Sequence, residues 1–210
     1  MDLHSFAMPL AYLGALLSFA MVVPQLTRTM RNPTLPGVSP SSWAITAIAC
    51  LGWLIYGLRA DVMPQVPGNV LLIIGSVALV LLVPSPWSMQ RRAVLLGAAG
   101  LAIVVTSVII APVAVGYLAF GIGLFAGWPQ LVDSYANWRN GIESGVSLPT
   151  WWVKLGATTC WLSYSVINVD VPVLIASVLG AATIVAVFLL EASARQTASE
   201  AAAVPEFALV

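Results

Sequence analysis

Charge is what this chain has least of. Eight of its 210 residues are Lys or Arg and eight are Asp or Glu, so 8% are charged, against about 25% in soluble domains. Too few water-compatible side chains remain to cover a folded surface, which makes the bilayer the natural solvent. The formal net charge is zero and no basic tract occurs, so no nucleic-acid partner is expected. The single histidine, His4, stands near the N-terminus without ligating neighbours. Only two cysteines are present, Cys50 and Cys160, both inside apolar segments. They read as small buried residues, with a disulfide or metal pair as the alternative. The sequence contains no cluster of nucleophile, base and orienting group, and no metal-ligand spacing. An enzyme is therefore the least expected class, and no cofactor or metal is expected. The first apolar stretch follows Asp2 and His4 rather than a basic segment, and it runs into Pro-Gln rather than a cleavage site of small residues. It is expected to persist as a helix rather than to be removed.

Apolar residues are abundant instead, at 60% of the chain with a mean hydropathy of +0.97. A hydrocarbon core takes roughly 20 apolar residues per helix. Apolar runs cover residues 6–27, 42–59, 65–84, 92–110, 112–135, 150–168 and 171–190, separated by Pro, Gly and charged residues. The expected fold is all-α, with seven transmembrane helices. Beyond Arg195 the chain is Ala-rich and polar, and a frayed or disordered tail is expected there.

The runs repeat. Val23-Pro24-Gln25-Leu26 returns as Trp128-Pro129-Gln130-Leu131, and Gly37-Val38-Ser39 with Trp43, Trp53 and Tyr56 returns as Gly145-Val146-Ser147 with Trp151, Trp161 and Tyr164. The offset is 108 from the Gly-Val-Ser onward (145 − 37 and 164 − 56) and 105 for Pro-Gln. The chain is an internal duplication. Two three-helix repeats joined directly would have opposite orientations; the fourth span makes them parallel. This predicts a first three-helix bundle over 1–88, a linker helix over 89–111, a second bundle over 112–192 and a tail over 193–210. With the N-terminus outside, Arg28, Arg31, Arg91, Arg92, Arg139, Lys154 and Arg195 fall on the cytoplasmic side and only Arg59 outside. The positive-inside rule therefore places this multi-pass cell-membrane protein with its N-terminus out and C-terminus in.

Several side chains stand out chemically. Pro24 and Pro129 remove an amide donor inside helices one and five, so each helix should kink there, as a hinge or as a static bend. Gln25 and Gln130 can bond the carbonyls so freed. Asn69 is a carboxamide among aliphatic residues, costly in hydrocarbon unless it bonds a polar group or faces a wet cavity. Trp53 offers a flat face that can stack on the C–H face of a sugar ring, or anchor at the lipid interface. Together they suit a neutral polyol. In the second repeat Trp161 matches Trp53, but Ser177 stands where Asn69 has its counterpart (both 16 residues after the tryptophan). Thr158, Thr159 and Ser163 can compensate or can bond their own helix. Tyr56, Arg59, Tyr164 and Asp170 gather toward the outer ends, as a gate or as ordinary interface and loop residues. Trp43, Trp151 and Trp152 fit an aromatic belt. Asp133 lies near the cytoplasmic end of span five, within reach of Arg139 or Lys154. No acidic residue lies deep in a span, so proton coupling is not indicated.

The duplicated Pro-Gln, Gly-Val-Ser and Trp-x-x-Tyr, with the three-one-three pattern over residues 6–190, resemble the PQ-loop superfamily and within it the SWEET and SemiSWEET sugar transporters. Transporters of this kind are built from parallel repeats. The resemblance implies a facilitative sugar uniporter working by alternating access. Its mono- or disaccharide would bind between Trp53, Asn69, Trp161 and Ser177. Pro24, Gln25, Pro129 and Gln130 would be hinges and inner gate; Tyr56, Arg59, Tyr164 and Asp170 would be the outer gate. Rival readings are a carrier of amino acids or other small neutral solutes, and a receptor or scaffold of the same fold that transports nothing. Two bundles in one chain make dimerisation unnecessary without forbidding a homo-oligomer.

Overall fold

The computed structural model describes residues 4–31, 40–140 and 148–203. Both Gly-Val-Ser copies lie outside them. The described residues form eight helices and no strand: α1 (His4–Ala20), α2 (Val22–Arg31), α3 (Pro40–Arg59), α4 (Gln65–Leu82), α5 (Met89–Ile109), α6 (Pro112–Asn140), α7 (Leu148–Asn168) and α8 (Val171–Ala203).

Local chemistry sets these boundaries. Pro40 and Pro112 open α3 and α6, where a missing amide proton and a preset φ cost nothing. The Ser88 hydroxyl accepts from the Arg91 amide at 3.2 Å and caps α5. Arg59 donates to the carbonyls of Ser107 and Ile110, and Arg92 to those of Val80 and Val83. Each guanidinium thus satisfies orphan carbonyls at the end of a neighbouring helix, where the dipole also favours a cation.

The two turns α3–α4 and α7–α8 are built alike. Val62 N–H reaches Gly57 C=O at 2.8 Å, and Asp170 N–H reaches Ser165 C=O at 3.0 Å. These are the six-to-one bonds of Schellman caps, whose penultimate residue takes the left-handed conformation. Those residues are Asp61 at φ 59° and Val169 at φ 55°, again 108 positions apart. Aspartate tolerates this region; a β-branched valine does not. Val169→Asn is expected to stabilise the protein by about 1 kcal/mol, a rise of ~2–4 °C in the melting temperature of the detergent-solubilised protein.

Among the described residues, five helices are long and apolar enough to cross a membrane: His4–Arg31 taken through its bend, α3, α4, α5, and α8 as far as Ala194. α6 adds a shorter apolar stretch, Pro112–Trp128. This differs from the seven spans expected, chiefly because Trp, Thr, Ser, Lys154 and Asn168 dilute the aliphatic residues of α7. Apolar side chains also cover the outside. On α5 only Ile103 and Ser107 are buried, while Leu101, Val108 and Ile109 are well exposed, as suits a surface solvated by lipid. The protein is a multi-pass membrane protein.

α4 packs against α1, α2 and α3, and α8 against α6 and α7. Across the middle α1 lies on α7 and α3 on α6, while α5 rests on α3 and α4. Small residues allow these approaches. A Cβ on Gly52 would stand 2.8 Å from that of Ala119, and one on Gly14 would stand 3.1 Å from the Trp161 indole nitrogen.

Three expectations change. The chain beyond Arg195 continues α8 to Ala203, because Ala, Gln and Glu are strong helix formers. Trp151 is buried against Ile184 and Val187 rather than placed in an interfacial belt. An acid does lie within an apolar span: Glu191, 1% exposed, accepts from the Ser134 hydroxyl at 2.6 Å and ties α8 to α6.

Candidate functional site

A cavity of about 240 Å³ opens between α1, α3, α4, α7 and α8. At ~30 Å³ per liquid water it has the room of about eight. Trp53, Asn69, Trp161 and Ser177 all line it. So do the partners expected from the duplication. Cys50 stands opposite Thr158, Trp53 opposite Trp161, Gln65 opposite Val173, Gly68 opposite Ala176 and Asn69 opposite Ser177. Every pair is separated by 108 positions, so the duplication written in the sequence closes on one cavity. Ala15, Ser18 and Leu72 complete the lining, which includes no charged residue among the described residues.

The two indoles are held alike. Trp53 meets Tyr56 edge-on at 5.7 Å and 79°, and Trp161 meets Tyr164 at 5.9 Å and 84°. Edge-to-face packing one turn along the helix fixes each ring. Gly14 lets α1 approach Trp161 closely. The polar lining is largely unspent. Asn69 Nδ2 donates to Gln65 C=O at 2.8 Å, which leaves its Oδ1 for a ligand. Thr159 and Ser163 bond back to Leu155 and Thr159 on their own helix, so of the three candidate compensators only Thr158 lines the cavity.

A second space of about 330 Å³ lies at one end, lined by Tyr56, Ala60, Asp61, Val62, Tyr164, Asn168, Val169 and Asp170. These too form four pairs at the 108-residue offset. The Tyr56 hydroxyl donates to Asp170 Oδ1 at 2.7 Å, and the Val173 amide donates to the same oxygen at 3.3 Å. Burial pushes the Asp170 carboxyl above the usual carboxylate range, and the two hydrogen bonds only partly offset this. Beneath the bond, Tyr56, Tyr164, Val62, Val115 and Val173 pack with Ala7 and Ala11 of α1. This end of the cavity is therefore shut by a packed layer and a buried hydrogen bond.

At the other end the first chain segment breaks. α1 stops at Ala20 and α2 begins at Val22. Pro24 lacks the amide that would bond Ala20, and its ring crowds that carbonyl. α1 packs on α7, whereas α2 packs on α4 and does not continue that interface among the described residues.

A eukaryotic SWEET transporter, whose structure was solved at 3.7 Å resolution, superposes with a TM-score of 0.76 at 14% sequence identity, over 92% of this chain and 97% of that one. The chain has the SWEET fold. No protein-family model and no curated protein matches the sequence.

Within the SWEET fold the sequence-derived residues divide. Trp53, Asn69, Trp161 and Ser177 converge on the central cavity, and Tyr56, Tyr164 and Asp170 gather at its shut end. Arg59 does not join them; it caps α5 instead of facing Asp170. Pro24 is exposed just after the break, while α6 runs through position 129 without interruption. The side chains of Gln25, Pro129, Gln130 and Asp133 lie outside the described residues. Gln65 and Cys50 were not foreseen. Counting one turn back from Asn69 reaches Gln65, whereas the 108-residue offset links it only to the apolar Val173.

Proposed function

We propose that this protein is a transporter that carries one small, neutral, hydroxylated solute, a monosaccharide foremost, across the membrane by alternating access. The single observation that carries this reading is the central cavity. Two matched indoles, a carboxamide and hydroxyls line it, no charge does among the described residues, and it lies between helices of both repeats. Flat indole faces suit the C–H face of a sugar ring, and hydroxyl and amide groups suit its edge. A volume of about 240 Å³ favours one ring over two. The absence of lining charge among the described residues disfavours amino acids, whose ammonium and carboxylate need partners.

In this reading α1–α4 and α6–α8 are two parallel three-helix bundles, α1 with α2 counting as one bent span and α5 as the linker. The N-terminus is outside, so the shut Tyr56–Asp170 end faces outward and the end beyond Pro24 faces the cytoplasm. The conformation is then closed outside and parted inside. Direction follows the gradient. Glu191 raises proton coupling as a second reading, but it lies 14 residues beyond Ser177. That is ~21 Å along α8, too far to touch a solute in the cavity, and its bond to Ser134 gives it a structural role.

Uptake into proteoliposomes over a panel of mono- and disaccharides tests the proposal. Saturable monosaccharide flux that is indifferent to a proton gradient is expected. Absence of flux for every sugar would refute it, and flux that collapses with the gradient would favour the proton-coupled reading.

A further inference from the structure

The two long walls of the cavity are chemically unlike at one level. On α4, Gln65 and Asn69 stand one turn apart on the same face. Asn69 Nδ2 donates to the Gln65 carbonyl at 2.8 Å and points to Gln65 Oε1 at 3.5 Å. Asn69 therefore shows the cavity an acceptor, Oδ1. Gln65, with Oε1 turned to Asn69, shows it a donor, Nε2, which has no partner among the described residues. Yet Gln65 is only 4% exposed. The little surface it keeps belongs to the lining of the cavity, where a bound hydroxyl can pair the donor. Across the cavity the counterpart of Gln65 is Val173, 4% exposed and packed with Tyr56 and Tyr164, which offers nothing to a hydroxyl group.

Taking the transport reading as its base, we infer that Gln65 is a second polar arm of the site. Gln65 and Asn69 together select a solute bearing two adjacent hydroxyls on the edge toward α4. On the edge toward Val173 the solute carries hydrogen or methyl in place of a hydroxyl. One hydroxyl of the pair donates to Asn69 Oδ1; its neighbour accepts from Gln65 Nε2. A hydroxyl pressed on Val173 would lose its water without replacement. The preferred class is therefore a monosaccharide lacking one hydroxyl, rather than one hydroxylated all round.

The test uses the full-length protein and a parent hexose with its singly deoxygenated analogues. Binding is followed by quenching of tryptophan fluorescence and transport by competition against labelled sugar in proteoliposomes. Removing either of two neighbouring hydroxyls is expected to weaken binding at least tenfold, and removing one on the opposite edge is expected to strengthen it. Gln65→Leu should weaken the parent 10- to 100-fold and abolish discrimination at one of the two neighbouring positions. Gln65→Glu keeps the size but turns the donor into an acceptor, and should weaken the parent at least tenfold with unchanged helicity. Val173→Gln should remove the preference on the opposite edge. Unchanged affinity in both Gln65 variants, or a parent preferred over every analogue, overturns the inference while leaving transport intact. Binding with this pattern but without flux overturns transport alone. Binding of no sugar at all overturns both.

Discussion

Trp53→Ala is expected to cut sugar flux at least tenfold, and Trp161→Ala to do the same, each without loss of the folded protein. Tenfold corresponds to ~1.4 kcal/mol of lost interaction with the solute, a modest demand on a full indole face. Both rings are half-buried, edge-packed on a tyrosine one turn away, and open to the cavity. Alanine removes the stacking surface and leaves Tyr56 or Tyr164 at the roof of an enlarged cavity. Trp53→Phe keeps an aromatic face of smaller area and should retain part of the flux. The measurement is initial uptake rate in proteoliposomes at several sugar concentrations, with elution profile and helicity as controls for folding. Undiminished flux in Trp53→Ala would mean that the ring serves only packing.

Breaking the Tyr56–Asp170 bond should have the second large effect. Tyr56→Phe deletes the hydroxyl and keeps the ring contact with Trp53, so the variant isolates one hydrogen bond. Removing the donor leaves a buried acceptor without its partner, at a cost of about 1–3 kcal/mol, so the shut state should lose roughly 5- to 150-fold in population relative to the state open at this end. Asp170→Ala should act likewise and also frees the Val173 amide at the start of α8. Asp170→Asn keeps an oxygen that accepts from the phenol, and should stay close to the parent. A thiol reagent that cannot cross the membrane, applied from outside to the native Cys50 in the cavity wall, reads the change. Faster labelling is expected in Tyr56→Phe and Asp170→Ala and not in Asp170→Asn. Equal labelling in all of them would show that the bond does not hold the gate.

How far the sequence carried is clear at particular residues. Helix positions were legible because Pro, Gly and charge punctuate long apolar runs; most boundaries fell close to the expected ones, while the first span breaks at Met21 and α8 runs on to Ala203. The Trp53–Trp161 and Asn69–Ser177 correspondences were legible because the 108-residue offset is constant, and it reappears around both cavities. What the sequence hid is mostly tertiary. Arg59 lies near Asp170 in any reading of loops and charge, yet it turns to α5, since open helix-end carbonyls are closer than a carboxylate already bonded to Tyr56. Glu191 escaped because it sits at the margin of an apolar run, where a residue count cannot tell a buried acid from an interfacial one. Gln65 escaped because it begins a helix just after Pro64 and looks like a turn residue; only the cavity reveals where its amide points. The two Pro-Gln copies look equivalent in sequence, but the helix is interrupted at Met21 and not near 129.

The central claim is that the matched halves present one cavity alternately to the two sides. Counterflow in proteoliposomes tests it most directly: vesicles are loaded with unlabelled monosaccharide, diluted into trace labelled sugar, and the transient accumulation of label is followed. Alternating access through a single site predicts an overshoot of label above equilibrium, absent in Trp53→Ala and in empty vesicles. Binding of the sugar by the purified protein with no overshoot would contradict the account and leave a solute-binding membrane protein that does not transport.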